Sequence, residues 1–179
     1  MDLIIEASHR QVTQLQGVAR KICLEALHEA YERLVPDERV LGLEQLFQRR
    51  KFLRGFKDSL AKGVAETLAR HDKRVRAVYL FEPSANPDQA VNETGSFEAI
   101  LHLLVLVETP SAALAALVTA LEHGFREYLQ ELSAITLSES RFILDVNLVT
   151  PEAVERGMGF ASLLSSRVGP PLKLWERVS

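Results

Sequence analysis

The stretch AILHLLVLVE, residues 99–108, is almost continuously apolar and lies near the middle of the chain. A β-strand with this composition is typical of a sheet position that is covered on both faces, because a strand with a wet side alternates apolar and polar residues. We therefore predict a buried strand here. His102 is its one polar residue before the terminal Glu108.

Two further segments on either side of this stretch are predicted to be strands. VRAVYLF (residues 75–81) and RFILDVNLV (141–149) are rich in the β-branched and aromatic residues that favour strands. Between the first two strands lies a polar stretch, residues 82–98, with several turn-forming residues. It is longer than most connections in compact domains, and such loops are usually functional or mobile.

Apolar residues recur at three- and four-residue steps elsewhere, which predicts amphipathic helices. These helices are expected over residues 10–34, 40–70, 111–132 and 151–165. Thr109-Pro110 and Thr150-Pro151 are expected to cap and begin the last two. The tail from residue 170 is expected to add a short extended piece that docks Trp175. Strands separated by helices predict an α/β fold.

The composition is that of an ordinary globular domain. The chain has 179 residues, of which 47% are hydrophobic and 25% charged, so one domain is expected. No apolar run is long enough for a membrane span and no export signal is evident. The single cysteine, Cys23, is expected to be a buried, inert thiol, and the setting is expected to be cytoplasmic.

The three strand segments resemble, in order, the core strands of the nucleotidyltransferase superfamily (the polymerase-beta-like fold), especially its minimal members. VRAVYLF is similar to the first strand, which the family follows with a Gly-Ser turn. AILHLLVLVE is similar to the second, which carries two carboxylates one residue apart. DVNLVTPEAV (145–154) is similar to the third strand and its exit, where a further carboxylate often lies.

The resemblance covers roughly residues 40–179 and implies a nucleotidyltransferase-like core, a small mixed sheet flanked by helices. Residues 1–38 would be an added N-terminal helical extension within a single domain, 1–179. In this family the paired carboxylates hold two divalent metals that bind the nucleoside triphosphate and activate the attacking hydroxyl. The Gly-Ser turn offers backbone N–H groups to the phosphates.

This sequence departs from the family pattern at each of those positions. Glu82 and Pro83 follow the first strand, where glutamate repels phosphate and proline has no N–H to offer. Ile100 and His102 stand in the positions of the acid pair. Asn147 stands in the third position. We therefore expect a degenerate, catalytically inactive member with no metal or cofactor and with a binding or regulatory role.

Other readings remain open. Glu98, His102 and Asp145 are candidates for a re-sited set that holds one metal, which would give an active enzyme using Mg²⁺ and a nucleoside triphosphate. Small members of the family often act beside a helical partner protein, so such a partner is implied. The wide apolar face of the first helix also permits a homodimer.

The basic residues of the chain are concentrated in one segment. Residues 48–76 carry 10 basic and 3 acidic side chains, although the whole chain has a net charge of −3. The segment holds a basic helix face, Arg49, Arg50, Arg54 and Lys57. Such a face supplies the charge that nucleic-acid binding requires, although basic faces are more often solvated surface. A nucleic-acid-binding module is therefore a further alternative.

Overall fold

The computed structural model describes residues 2–81, 101–132, 143–167 and 169–178, with the side chains of 2–10 and 12 left outside the description. Along the chain these residues form α1 (Asp2–Glu32), α2 (Leu43–Phe47), α3 (Arg50–His71), β1 (Val75–Phe81), β2 (Leu101–Val107), α4 (Ala112–Leu132), β3 (Leu144–Val149), α5 (Pro151–Glu155) and β4 (Leu172–Glu176), with 3₁₀ segments at Pro36–Glu38 and Gly159–Ser165.

The four strands form one mixed sheet in the order β3-β2-β1-β4. β1 is antiparallel to both β2 and β4, and β2 is parallel to β3. With helices packed on this sheet, the predicted α/β fold is confirmed. The central strand β2 is buried on both faces, since Leu103 and Leu104 point to opposite sides and both are fully buried.

The helices form two layers on one face of the sheet. α3 and α4 contact the strands, and α1 packs across α3 and α4. The buried residues of α1, from Ala19 to Ala30, and Leu34 just beyond it join the same apolar core as the strands. Among them is Cys23, where burial raises the pKa of the thiol to about 12, as expected of an inert cysteine. Because this face of α1 is covered within the chain, it gives no reason for a homodimer.

The other face of the sheet is covered by α5 and the following 3₁₀ segment. Phe81, Leu104, Val149 and Ala161 form a second, smaller buried cluster there. Because side chains alternate along a strand, this face also carries His102, Asp145 and Asn147. We call it the α5 face. Within the described residues its cover is smaller than that of the opposite face, and polar side chains at one end of the sheet are partly exposed.

The predicted single helix over residues 40–70 is wrong. The chain is extended at Arg49 (φ −87°, ψ 117°), which separates α2 from α3. After this break the ring of Phe47 lies 5.6 Å from that of Phe52 and 5.3 Å from that of Phe56, both edge-on. Edge-to-face aromatic contacts add to the free energy of burial, which explains why the helix does not continue.

The predicted helix over residues 151–165 is also wrong beyond its first turn. α5 ends at Glu155, and Gly157 and Gly159 adopt positive φ angles of 60° and 53°. Glycine reaches this region without the steric cost that a side chain adds. The chain therefore leaves the helix and continues as a 3₁₀ segment that lies over the sheet.

The two Thr-Pro pairs have different outcomes. Thr150 caps α5 as predicted, because its side chain accepts a hydrogen bond from the backbone N–H of Ala153. The expectation for Thr109 is wrong. α4 begins at Ala112, and the Ser111 hydroxyl accepts from the N–H of Leu114 at 3.1 Å. Two element bounds also differ from the prediction. α1 begins earlier than residue 10, and β3 begins at Leu144.

The C-terminal segment completes the sheet as expected. β4 pairs with β1, with Trp175 opposite Val78 and packed against the main core. The Arg177 side chain then donates to the backbone carbonyls of Ala69 at 3.0 Å and Val75 at 3.1 Å. This arginine ties the end of β4 to α3 and β1.

Asp72 joins three elements at one end of the sheet. Its carboxylate accepts two hydrogen bonds from the Arg74 guanidinium, at 2.9 and 2.8 Å, and one from the backbone N–H of Arg74. It also accepts from the Ser111 hydroxyl at 3.1 Å. Asp72 therefore links the end of α3 to the start of β1 and to the N-cap of α4.

The close crossing of α1 and α4 at Gly124 gives the first prediction. A Cβ at Gly124 would lie 2.5 Å from the Cβ of Ala19, so Gly124→Ala forces the helices apart. We expect a loss of about 1 to 2 kcal/mol in the free energy of unfolding, from overpacking. The matched control is Gly55→Ala, whose Cβ meets its nearest neighbour at 3.7 Å and should gain up to about 1 kcal/mol from helix propensity. Urea unfolding measures both, and a stabilised Gly124→Ala variant would contradict the close crossing.

The second prediction concerns Asp72. Hydrogen bonds from the Arg74 side chain are the largest cause that lowers the pKa of this carboxyl from 3.8 to about 2, with smaller contributions from the Arg74 N–H and Ser111 and partial opposition from burial. A lowered pKa contributes stability above the unfolded value, and this contribution is lost as the pH falls from about 4 through about 2. Asp72→Asn should therefore cost about 2 kcal/mol at pH 7.

The control for this prediction is Asp37→Asn, at an exposed position of the Pro36–Glu38 turn. The difference between Asp72→Asn and the unmodified protein in the free energy of unfolding should shrink as the pH approaches 2. A difference that stays constant between pH 7 and pH 2 would show that Asp72 acts through packing rather than through its charge.

Candidate functional site on the α5 face

His102 and Asp145 form a polar pair on the α5 face. They lie opposite each other on the parallel strands β2 and β3, and Nδ1 of His102 lies 2.9 Å from Oδ2 of Asp145. The side chains are 20% and 45% exposed, respectively. The structure thus brings together two of the three residues proposed for a re-sited acid set.

The pairing fixes which imidazole nitrogen faces outward. A carboxylate accepts hydrogen bonds, so Asp145 holds the His102 tautomer with the proton on Nδ1. Within the described residues His102 has no other hydrogen-bond partner. Nε2 therefore remains for a ligand, either as an acceptor from a neutral ring or as a donor from a protonated one.

Aromatic rings border the pair on the β1 side. Phe81 lies opposite His102 in the β1–β2 register, with ring centroids 5.5 Å apart. Phe160, from the 3₁₀ segment, lies 6.0 Å from Phe81 and is 52% exposed. An exposed ring beside a small set of polar groups is the composition that small-molecule sites favour, because flat ligands gain apolar contact and orientation together.

Asn147 adds an unsatisfied donor to the same face. It lies two residues beyond Asp145 on β3 and opposite Leu104 in the β2–β3 register. Its side-chain nitrogen is shielded from solvent and has no hydrogen-bond partner among the residues that the structure describes. Because a buried N–H without a partner costs free energy, such groups are rare and call for an explanation such as a ligand or an ordered water.

The remaining candidate of the re-sited set, Glu98, lies outside the described residues, as does Ile100. Among the described residues, no group of three or more His, Cys, Asp or Glu side chains is placed to hold a metal ion. The donors present are an imidazole, one carboxylate and one amide. Mg²⁺ is bound through carboxylates and phosphate oxygens, so this described set does not fit the family's pair of metal ions.

The predicted basic face occupies the start of α3. Arg50, Arg54 and Lys57 follow one side of the helix, and Arg49 stands at its N-cap. The three arginines are exposed and Lys57 is partly buried. No ion pair of these four residues is found within the described ranges, which leaves their charge available. The geometry agrees with a basic helix face, and nucleic-acid binding stays a prediction.

Sequence reasoning missed Phe160 because it placed residues 151–165 on one helix. The signal was present in GMGF, residues 157–160, where two glycines flank Met158. Closely spaced glycines weaken a helix and favour turns. A helix break at these glycines would place Phe160 outside the helical pattern, as an aromatic residue near the third strand.

Comparisons with protein-family models, with curated proteins and with solved structures found no match for this chain. In the part of the chain that the structure describes, no helix combines the length and apolar character needed to cross a membrane. The function of the chain is therefore inferred from the side chains of the site itself.

Proposed function

We propose that this protein has a binding or regulatory role on a degenerate nucleotidyltransferase-like core, without nucleotidyl transfer, and that the α5 face is its ligand site. The observation that carries the proposal is the His102–Asp145 hydrogen bond at 2.9 Å. In this contact the carboxylate of Asp145, on the described part of the face, interacts with an imidazole rather than with a metal ion.

The same groups suit recognition better than phosphoryl chemistry. Catalysis by two metal ions needs several carboxylates that hold the ions a few ångströms apart. The described face instead offers one outward imidazole nitrogen, one amide donor and two aromatic rings. Such a set would orient a ring-bearing ligand by stacking and by a few hydrogen bonds. A nucleoside base has this chemistry, and the resemblance makes nucleotides the first ligands to test.

A protein partner belongs to the same proposal. The resemblance implies a helical partner protein, and a second copy of this chain is the other candidate. The 82–98 stretch is the expected contact element, because the resemblance implies that it lies at the family's substrate cleft. It lies outside the described residues, so the partner is a prediction from the sequence.

The third prediction tests nucleotide binding. We expect ATP, GTP, CTP or UTP without Mg²⁺ to raise the thermal midpoint, since a ligand at a hundred times its Kd stabilises the folded state by about 2.7 kcal/mol. His102→Asn should remove the shift by removing the ring and Nε2. The control is His123→Asn, because His123 forms a similar pair with Glu127 at 3.1 Å on the surface of α4.

Two results would contradict this proposal. One is a thermal shift that requires Mg²⁺ and disappears in Asp145→Asn, together with transfer of labelled nucleotide to a target. That result would support the active enzyme with acids at Glu98 and Asp145. The other is a shift that His102→Asn and His123→Asn reduce equally, which would place the ligand away from the α5 face. No shift with any nucleotide would direct the search to protein partners.

The nucleic-acid alternative is favoured by one observation, the exposed arginines at the start of α3, which form no ion pair within the described residues. The fourth prediction is that a single-stranded oligonucleotide binds more weakly as the salt concentration rises. If about three phosphates are contacted, the logarithm of the binding constant should fall against the logarithm of the salt concentration with a slope near −2. Arg50→Glu combined with Arg54→Glu should abolish binding. Lys21→Glu, at an exposed position of α1, is the control. Absence of binding at low salt would exclude this function.

A further inference from the structure

A pocket of about 180 Å³ lies between the C-terminal part of α1 and the first turns of α3. Its apolar lining comes from Ala30, Leu34, Phe52 and the backbone of Gly55. Its charged lining comes from Arg33, just after the end of α1, and from Lys51, Arg54 and Asp58 on α3. The pocket lies on the opposite side of the helical layers from the α5 face and shares no residue with that site.

The charge of this lining is strongly positive. Three cationic side chains and one carboxylate give a net charge of +2, and Arg33, Lys51 and Arg54 have no hydrogen bond or ion pair within the described residues. The nearby carboxylates of α1 are engaged elsewhere. Glu25 pairs with Lys21, Glu32 pairs with His28, and Glu29 accepts from the Ser59 hydroxyl. Within the described residues none of the three cations forms an ion pair with these carboxylates.

Arg33, just after the end of α1, extends over α3. A Cβ at Gly55 would lie 3.7 Å from Nη1 of Arg33, so the guanidinium lies above the backbone of α3 at the pocket floor. The carbonyl groups at the end of α1 do not hold it there. Arg39 donates to the carbonyls of Leu34 and Glu32, at 3.3 Å each. The position of Arg33 thus serves no capping role and brings a second guanidinium near Arg54.

We propose that this pocket binds a single phosphate group, either inorganic phosphate or a phosphate monoester. Guanidinium groups match phosphate oxygens with paired N–H donors, and lysine adds a compact charge. The volume is below the 300–1,000 Å³ typical of sites for larger ligands, which suits one small anion.

The fifth prediction tests this proposal by calorimetric titration of the full chain with inorganic phosphate and with glycerol 3-phosphate, at constant ionic strength. Loss of a charged hydrogen-bond donor should weaken binding about tenfold or more in Arg54→Gln and in Arg33→Gln. Arg50→Gln is the matched control. This substitution removes the same charge from the same helix, but Arg50 does not line the pocket. Asp58→Asn should instead strengthen binding, since it removes the one carboxylate.

The two ligands distinguish the source of the phosphate. Binding of inorganic phosphate alone would indicate a site for the free ion, and tighter binding of the monoester would indicate a phosphorylated metabolite or side chain. Equal loss in Arg50→Gln and Arg54→Gln, or binding of an oligonucleotide but of neither small ligand, would overturn the discrete pocket in favour of a diffuse basic surface. Absence of binding by both small ligands at low salt would also overturn it.

Discussion

The need to cover both faces of β2 determines the arrangement of the other elements. This strand is hydrogen-bonded on both edges, to β1 and β3, and its residues are buried on both sides of the sheet. α3 and α4 cover one side, and α1 packs across them as a second layer. On the other side the described cover is α5 and a short 3₁₀ segment, and within the described residues His102 and Asp145 at the end of the sheet remain partly exposed. The candidate site is a consequence of this unequal cover.

The strands and the main helices could be predicted from the sequence because their signals are local. VRAVYLF forms a strand with the predicted bounds, and the apolar run after residue 100 is covered on both faces as its composition indicated. The period of two also placed His102 and Asp145 on one face of their strands. The period could not predict that β2 and β3 are neighbouring strands with His102 opposite Asp145. That register depends on pairing between segments that are distant in the sequence.

Local signals failed where a tertiary contact decided the outcome. Thr109-Pro110 and Thr150-Pro151 are the same dipeptide, yet only Thr150 is an N-cap. The start of α4 is set instead by Ser111, whose hydroxyl also donates to Asp72. In the same way, the break between α2 and α3 reflects the packing of Phe47 on two other rings. Local signals also could not predict that Arg33 and Arg54 line one pocket, since only the packing of α1 on α3 brings them together.

β4 gives the sheet a feature that matters during synthesis. One edge of β1 is paired by a strand far later in the chain, so a nascent polypeptide that has already formed β1, β2 and α3 still exposes that edge. Unpaired edges of apolar strands recruit other chains, and incomplete intermediates are where such association occurs. β4 closes this edge, and Arg177 holds its end there by donating to the carbonyls of Ala69 and Val75. The vulnerable interval on the ribosome is therefore set by the distance between β1 and β4 along the chain.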